Sequence, residues 1–106
     1  MSFRVRLLHR AHADFVHIVD YIHEQSHQGA TAWVNAFEAA TDALSENADS
    51  CSEADENAQL EIEVKQSLFK TRHGRIYRLI FTIVGDEVRI LRIRGAGQAP
   101  IQPTDL

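Results

Sequence analysis

The chain has one cysteine, two prolines and one tryptophan in 106 residues. A lone thiol, Cys51, excludes an internal disulfide framework and points to a reducing compartment, the cytoplasm. No apolar run approaches the ~20 residues of a membrane-spanning helix. Met1-Ser2-Phe3-Arg4 leads into alternating sequence instead of the apolar stretch of a secretory signal, so neither membrane nor targeting segment is expected. No strand–Gly-x-Ser-x-Gly–helix context, phosphate-binding loop or dinucleotide fingerprint occurs. Basic residues are also scarce at first: residues 1–60 hold 3 Lys/Arg against 10 Asp/Glu.

What is present is ordinary globular composition, 44% hydrophobic and 25% charged, in a chain long enough for one core and no second. Residues 1–106 are therefore expected to form a single domain. The formal charge of −4 hides a basic second half, where residues 61–106 carry 8 Lys/Arg against 5 Asp/Glu. Such asymmetry points to an acidic or polyanionic partner at one end of the molecule. The net acidity keeps nucleic acid from being the automatic choice, because a dedicated binder usually has an alkaline pI.

Hydrophobic periodicity gives the element order. Phe3 to Leu8 alternates apolar and basic residues, the period of a half-buried strand. Ala11, Phe15, Ile18, Val19 and Ile22 then fall on one helical stripe, ended by Gly29. A second stripe follows in Ala30, Trp33, Val34, Phe37, Thr41 and Leu44, giving an antiparallel helical hairpin. Residues 47–60 contain Asp49, Glu53, Asp55 and Glu56 with no basic or aromatic residue, which predicts a mobile, solvated acidic loop carrying an exposed Cys51. Residues 62–69, 76–84 and 87–94 read as three strands, the last two joined by a Gly85-Asp86 hairpin turn. Residues 95–106 read as an irregular tail. The expected fold is α+β: a β-α-α-β-β-β domain with a helical hairpin packed on a mostly antiparallel four-stranded sheet.

Alternation puts Tyr77, Leu79, Phe81 and Ile83 under the helices, with Leu91 and Ile93 of the last strand beside them. Arg78, Arg92 and Arg94 then share the opposite, open sheet face, with Lys70, Arg72 and Arg75 around its rim. Guanidinium groups bind phosphate or carboxylate in bidentate fashion, so this face is the candidate anion-binding surface. Arg78 is its most telling member, since a charge within the most apolar strand is costly unless paired or used. The alternative is a set of arginines paired with the acidic helices. His23-Glu24-Gln25-Ser26-His27 fits the H-E-x-x-H spacing of zinc peptidases. It sits at a helix end with no third ligand in sequence, so two polar histidines are expected, with no metal and no cofactor.

Ala13-Asp14-x-x-x-Ile18-x-x-Tyr21-Ile22, Ala32-Trp33-x-x-x-Phe37, Gly74-x-x-Tyr77-Arg78-Leu79-Ile80-Phe81 and the Gly85–Arg94 hairpin together resemble the RelE/ParE toxin superfamily of type II toxin–antitoxin (plasmid stabilisation) modules. The resemblance spans about residues 3–95. It implies the same β-α-α-β-β-β fold and a growth-arresting toxin neutralised by a cognate antitoxin, with which it could form a hetero-oligomer. RelE-like members cleave mRNA on the ribosome; for that activity the resemblance marks Lys70, Arg72, Arg78 and Arg94. ParE-like members bind DNA gyrase without that chemistry. No Tyr follows Tyr77 and no His follows His73, so an acid for the leaving oxygen is missing. This favours the ParE-like branch, with the ribonuclease and a non-toxic interaction module as alternatives. Arg78, Arg92, Arg94, Lys70, Arg72 and Arg75 are the expected contacts for target or antitoxin, the antitoxin covering the basic face.

Overall fold

Ser26 divides the helical region. Its backbone is extended (φ −162°, ψ 116°), and its Oγ accepts the Gly29 N–H at 2.9 Å. The same residue therefore closes one helix and caps the next. In this computed structural model, which describes residues 2–95 and 97–106, strand β1 (Arg4–Leu7) precedes helix α1 (His9–Gln25) and helix α2 (His27–Asn47). Gly29 lies in the first turn of α2 and does not end α1 as the sequence suggested, because the hydroxyl cap makes a one-residue turn sufficient.

Strands β2 (Lys65–Phe69), β3 (Tyr77–Val84) and β4 (Glu87–Gly95) follow, and the sheet order is β1-β4-β3-β2. The β1–β4 pairing is parallel and the other two are antiparallel, so the expected α+β fold with its helical hairpin is the one observed. Gly85 has φ +62°, which suits the first position of the two-residue β3–β4 turn. β2 is shorter than its alternating sequence suggests. Val64, just before it, donates its N–H to Asn57 Oδ1 (2.8 Å) and accepts the Ala54 N–H (2.9 Å), so its backbone is engaged with the preceding segment.

The main core lies between the helices and the sheet. Trp33 and Phe37 of α2 meet Phe69, Leu79, Phe81, Val88, Ile90 and Ile93, with Phe15, Ile18, Val19 and Ile22 of α1 packed against them. Trp33 is the hub, with the rings of Phe15, Phe37, Phe69 and Tyr77 between 5.4 and 5.7 Å away. A β-bulge between Ile80 and Phe81 shifts the register from Ile80↔Arg92 to Phe81↔Ile90. Leu91, expected under the helices, is the surplus residue and packs on the other side of the sheet. That other side has its own core of Ala54, Val64, Ile80 and Ile101, which brings the segment after α2 and the C-terminal tail onto the sheet.

Truncating Phe81, fully buried at the centre of β3, should lower unfolding free energy by about 3–5 kcal/mol in urea denaturation. An Ile83→Ala change, at a half-buried position of the same strand, should cost clearly less.

Candidate functional site

Arg78 points away from the helices, as alternation predicts, but the face it occupies is covered. Nη1 and Nη2 donate to the two carboxylate oxygens of Glu56, each at 2.8 Å, and Nη1 also donates to Gln66 Oε1 at 3.0 Å. Asp55 approaches at 3.9 Å. Glu56 has no exposed surface, and its Oε2 accepts a third bond from the Ile101 N–H at 2.9 Å. Its carboxyl is lowered to about 2, chiefly by the Arg78 hydrogen bonds and further by Ile101, against the opposing effect of burial. One carboxylate thus joins the segment after α2, the middle of β3 and the tail.

A second lock lies at the α1 edge. Asp14 accepts from Arg92 Nε and Nη2, both at 2.8 Å, and from the Ile93 N–H at 2.9 Å. β1 ends opposite Ile90, so the Asp14 side chain serves the β4 edge where the neighbouring strand stops. Arg92 also donates to the Asp105 carbonyl (2.9 Å), and Arg94 contacts the Asp105 carboxylate at 3.2 Å.

These pairs correct two expectations. The face bearing Arg78, Arg92 and Arg94 is not open, and residues 47–60 are not a solvated loop. Ala54 and Glu56 are buried, and the Glu53 backbone pairs with that of Lys65 as an isolated antiparallel β-bridge. The segment lacks aromatics, yet a bidentate ion pair and a small aliphatic cluster suffice to seat it. Cys51 is half-buried against the main core, and burial, more than neighbouring acids, pushes its thiol up. The tail is likewise anchored, by buried Ile101 and a turn at Pro103–Asp105.

Lys70, Arg72 and Arg75 are placed differently. All three are exposed on the β2–β3 connection, where the Gly74 N–H closes a turn onto the Thr71 carbonyl at 3.2 Å. Every other Lys or Arg side chain has a carboxylate or carbonyl partner, down to Arg10 on Thr104 and Lys65 on Cys51. Among the described residues these three have none. Arg78 and Arg94 are cross-strand partners, but Lys70 and Arg72 lie beyond the end of β2, so the four residues marked for RNA cleavage divide into a locked pair and a loop pair.

Beside that connection a cleft of about 400 Å³ opens toward the helical turn, lined by Tyr21, Ile22, Gln25, Gly29 and Trp33 on one side and by Thr71, His73, Gly74, Arg75 and Tyr77 on the other. The helical stripe predicts Trp33 as core, and the cleft beside it has no counterpart in the sequence pattern. Gly29 and Gly74 flank the cleft, and a Cβ at Gly74 would meet the Thr71 hydroxyl. His23 and His27 sit on different helices and hydrogen-bond to each other, Nε2 to Nδ1 at 2.9 Å. Among the described residues no three His, Cys, Asp or Glu side chains gather as a metal site. Among the described residues no helix is long and apolar enough to cross a membrane.

With this fold established, comparison with known families shows that residues 5–100 match the family described as ParE toxin of type II toxin-antitoxin system, parDE. The chain belongs to that family, within the RelE/ParE group of type II toxins. No curated protein and no solved structure matches the chain.

Acid should release the Glu56 lock. Its folded carboxyl titrates below the unfolded value of about 4.3, so its contribution to stability is complete above that pH and disappears as pH falls toward about 2. Glu56→Gln should lose about 3–5 kcal/mol at neutral pH, leaving Arg78 uncompensated, and should show a flatter decline in acid denaturation curves.

Proposed function

We propose that this toxin acts in the ParE manner: it arrests growth in the cytoplasm by binding DNA gyrase, without cleaving RNA, and is neutralised by a cognate antitoxin as part of a plasmid-stabilising module. The observation that carries the reading is the internal pairing of Arg78, Arg92 and Arg94 with Glu56, Asp14 and Asp105. A nucleolytic member needs such arginines available to a scissile phosphate, and here carboxylates already occupy the positions that phosphate oxygens would take. The sequence offers no Tyr after Tyr77 and no His after His73 to protonate a leaving oxygen.

The charges that are available lie on the β2–β3 connection. Lys70, Arg72 and Arg75 face solvent without partners among the described residues, whereas the helical half of the chain is acidic. An antitoxin contributing an acidic segment would meet complementary potential at that end and repulsion along the helices, which fixes its orientation. This moves the expected antitoxin contact from the covered sheet face to its rim.

Inducible expression of the chain alone should stop growth, produce gyrase-dependent DNA breaks and leave translated mRNA intact. Purified toxin should inhibit supercoiling at micromolar concentration. Unaffected gyrase, or transcripts cut at the ribosomal A site, would overturn the reading. Arg72→Glu with Arg75→Glu should weaken antitoxin binding by about tenfold or more, mainly through slower association at low salt. Unchanged affinity would place the antitoxin elsewhere. Arg78→Ala is a poor probe of function, since it strands the Glu56 carboxylate in a buried site.

A further inference from the structure

We propose that His23 and His27 form a two-imidazole chelate for a borderline divalent transition-metal ion, Ni²⁺ or Cu²⁺ ahead of Zn²⁺, at the elbow of the helical hairpin. The two residues belong to different helices, His23 to the last turn of α1 and His27 to the first position of α2. The one-residue turn at Ser26 still brings their rings together, with His23 Nε2 and His27 Nδ1 2.9 Å apart. The ring centroids are 4.9 Å apart and the planes meet at 77°. Both side chains are exposed, so an ion reaches them without disturbing the core.

The separation of the two nitrogens selects the chemistry. Imidazole nitrogens bind such ions at about 2.0–2.1 Å. Two of them on one ion lie about 2.9 Å apart at the right angle of square-planar or octahedral coordination, and about 3.4 Å apart in a tetrahedron. The observed distance matches the first, which favours Ni²⁺ and Cu²⁺ over Zn²⁺. Each ring must swing by about half a right angle for its lone pair to meet the ion, and the His χ2 torsion is broad enough to allow it. The existing hydrogen bond already requires one inner nitrogen to be unprotonated, since an acceptor carries no hydrogen. With the hydrogens on the outer nitrogens, His23 Nδ1 and His27 Nε2, both rings are neutral and both inner lone pairs are free for the ion.

The surroundings suit a cation held by imidazole alone. Asp20 and Glu24 are exposed on the same stretch of α1, and the acidic helical half concentrates cations there. The carbonyl end of α1 favours a positive ion and the amide end of α2 opposes one, so the imidazoles carry the binding. Glu24 does not join them, and among the described residues no third His, Cys, Asp or Glu completes a set. Two rings suffice for a chelate, with water in the other positions. The H-E-x-x-H spacing gives no peptidase centre, because Ser26 interrupts the continuous helix on which that geometry depends.

This inference is independent of the toxin reading, and its test reads metal binding directly. The untagged full chain, labelled with ¹⁵N, is titrated with NiCl₂, and ZnCl₂ and MgCl₂ are compared by calorimetry. Ni²⁺ should broaden the amide resonances around Ser26 before any others and bind more tightly than Zn²⁺, while Mg²⁺ should not bind. His23→Gln and His27→Gln, at exposed positions that leave the fold intact by thermal melting, should each weaken Ni²⁺ binding about tenfold or more, because either loss breaks the chelate. His12→Gln and His17→Gln, on the same helix, should leave it unchanged. Broadening centred elsewhere, undiminished affinity in His27→Gln, an equal response to Mg²⁺, tighter Zn²⁺ than Ni²⁺, or no response at millimolar Ni²⁺ would overturn the site.

Discussion

A single carboxylate with no exposed surface, Glu56, accepts two hydrogen bonds from Arg78 and one from the Ile101 amide, and the second layer of this protein is assembled around it. Removing two charges from water is costly, and a buried pair repays that cost only when the geometry is bidentate and the remaining lone pairs are used. Here both conditions hold. Because Glu56 belongs to the segment after α2 and Ile101 to the tail, the pair draws two otherwise irregular stretches onto the sheet and closes the small core of Ala54, Val64 and Ile80 beneath them. Asp14 does the equivalent work at the other edge, tying α1 to β4 through Arg92 and the Ile93 amide. β3 therefore has buried side chains on both faces, which explains why its sequence is nearly continuous in apolar residues and not cleanly alternating.

The same locks divide the arginines into two populations. Those at 78, 92 and 94 are consumed by the architecture, and their charge is cancelled within the molecule. Those at 72 and 75, with Lys70, remain available. A basic residue count along the strands therefore overstates what the toxin can offer a phosphate and understates how local its electrostatic surface is. The exposed cations adjoin the aromatic cleft, so charge and apolar contact are available at one place, as protein recognition requires.

The sheet and hairpin were legible because they depend on local periodicity. The helical stripe from Phe15 to Ile22, the alternation around Leu79 and Phe81, and the Gly85-Asp86 turn each declare their geometry within a few residues. What was not legible depends on partners distant in sequence. Glu56 and Arg78 are 22 residues apart and Asp14 and Arg92 are 78 apart, and neither spacing carries a pattern. The expense of a charge at position 78 was visible, but not whether a partner molecule or the chain itself would neutralise it. The bulge at Ile80/Phe81 was hidden for a similar reason: an extra residue in β4 changes which of Leu91 and Ile90 faces the helices without altering composition. The cleft was not legible because Trp33 reads as core, and the space beside it shows only in three dimensions.

The central claim is that Glu56 holds the tail against the sheet. Hydrogen exchange at the Ile101 amide tests it most directly, since that N–H has Glu56 Oε2 as its acceptor. The account predicts protection at neutral pH close to that of the Leu79 amide in β3, because tail, segment and strand open together. Exchange at the rate of an unstructured peptide would contradict it, showing that the tail is not held by the carboxylate.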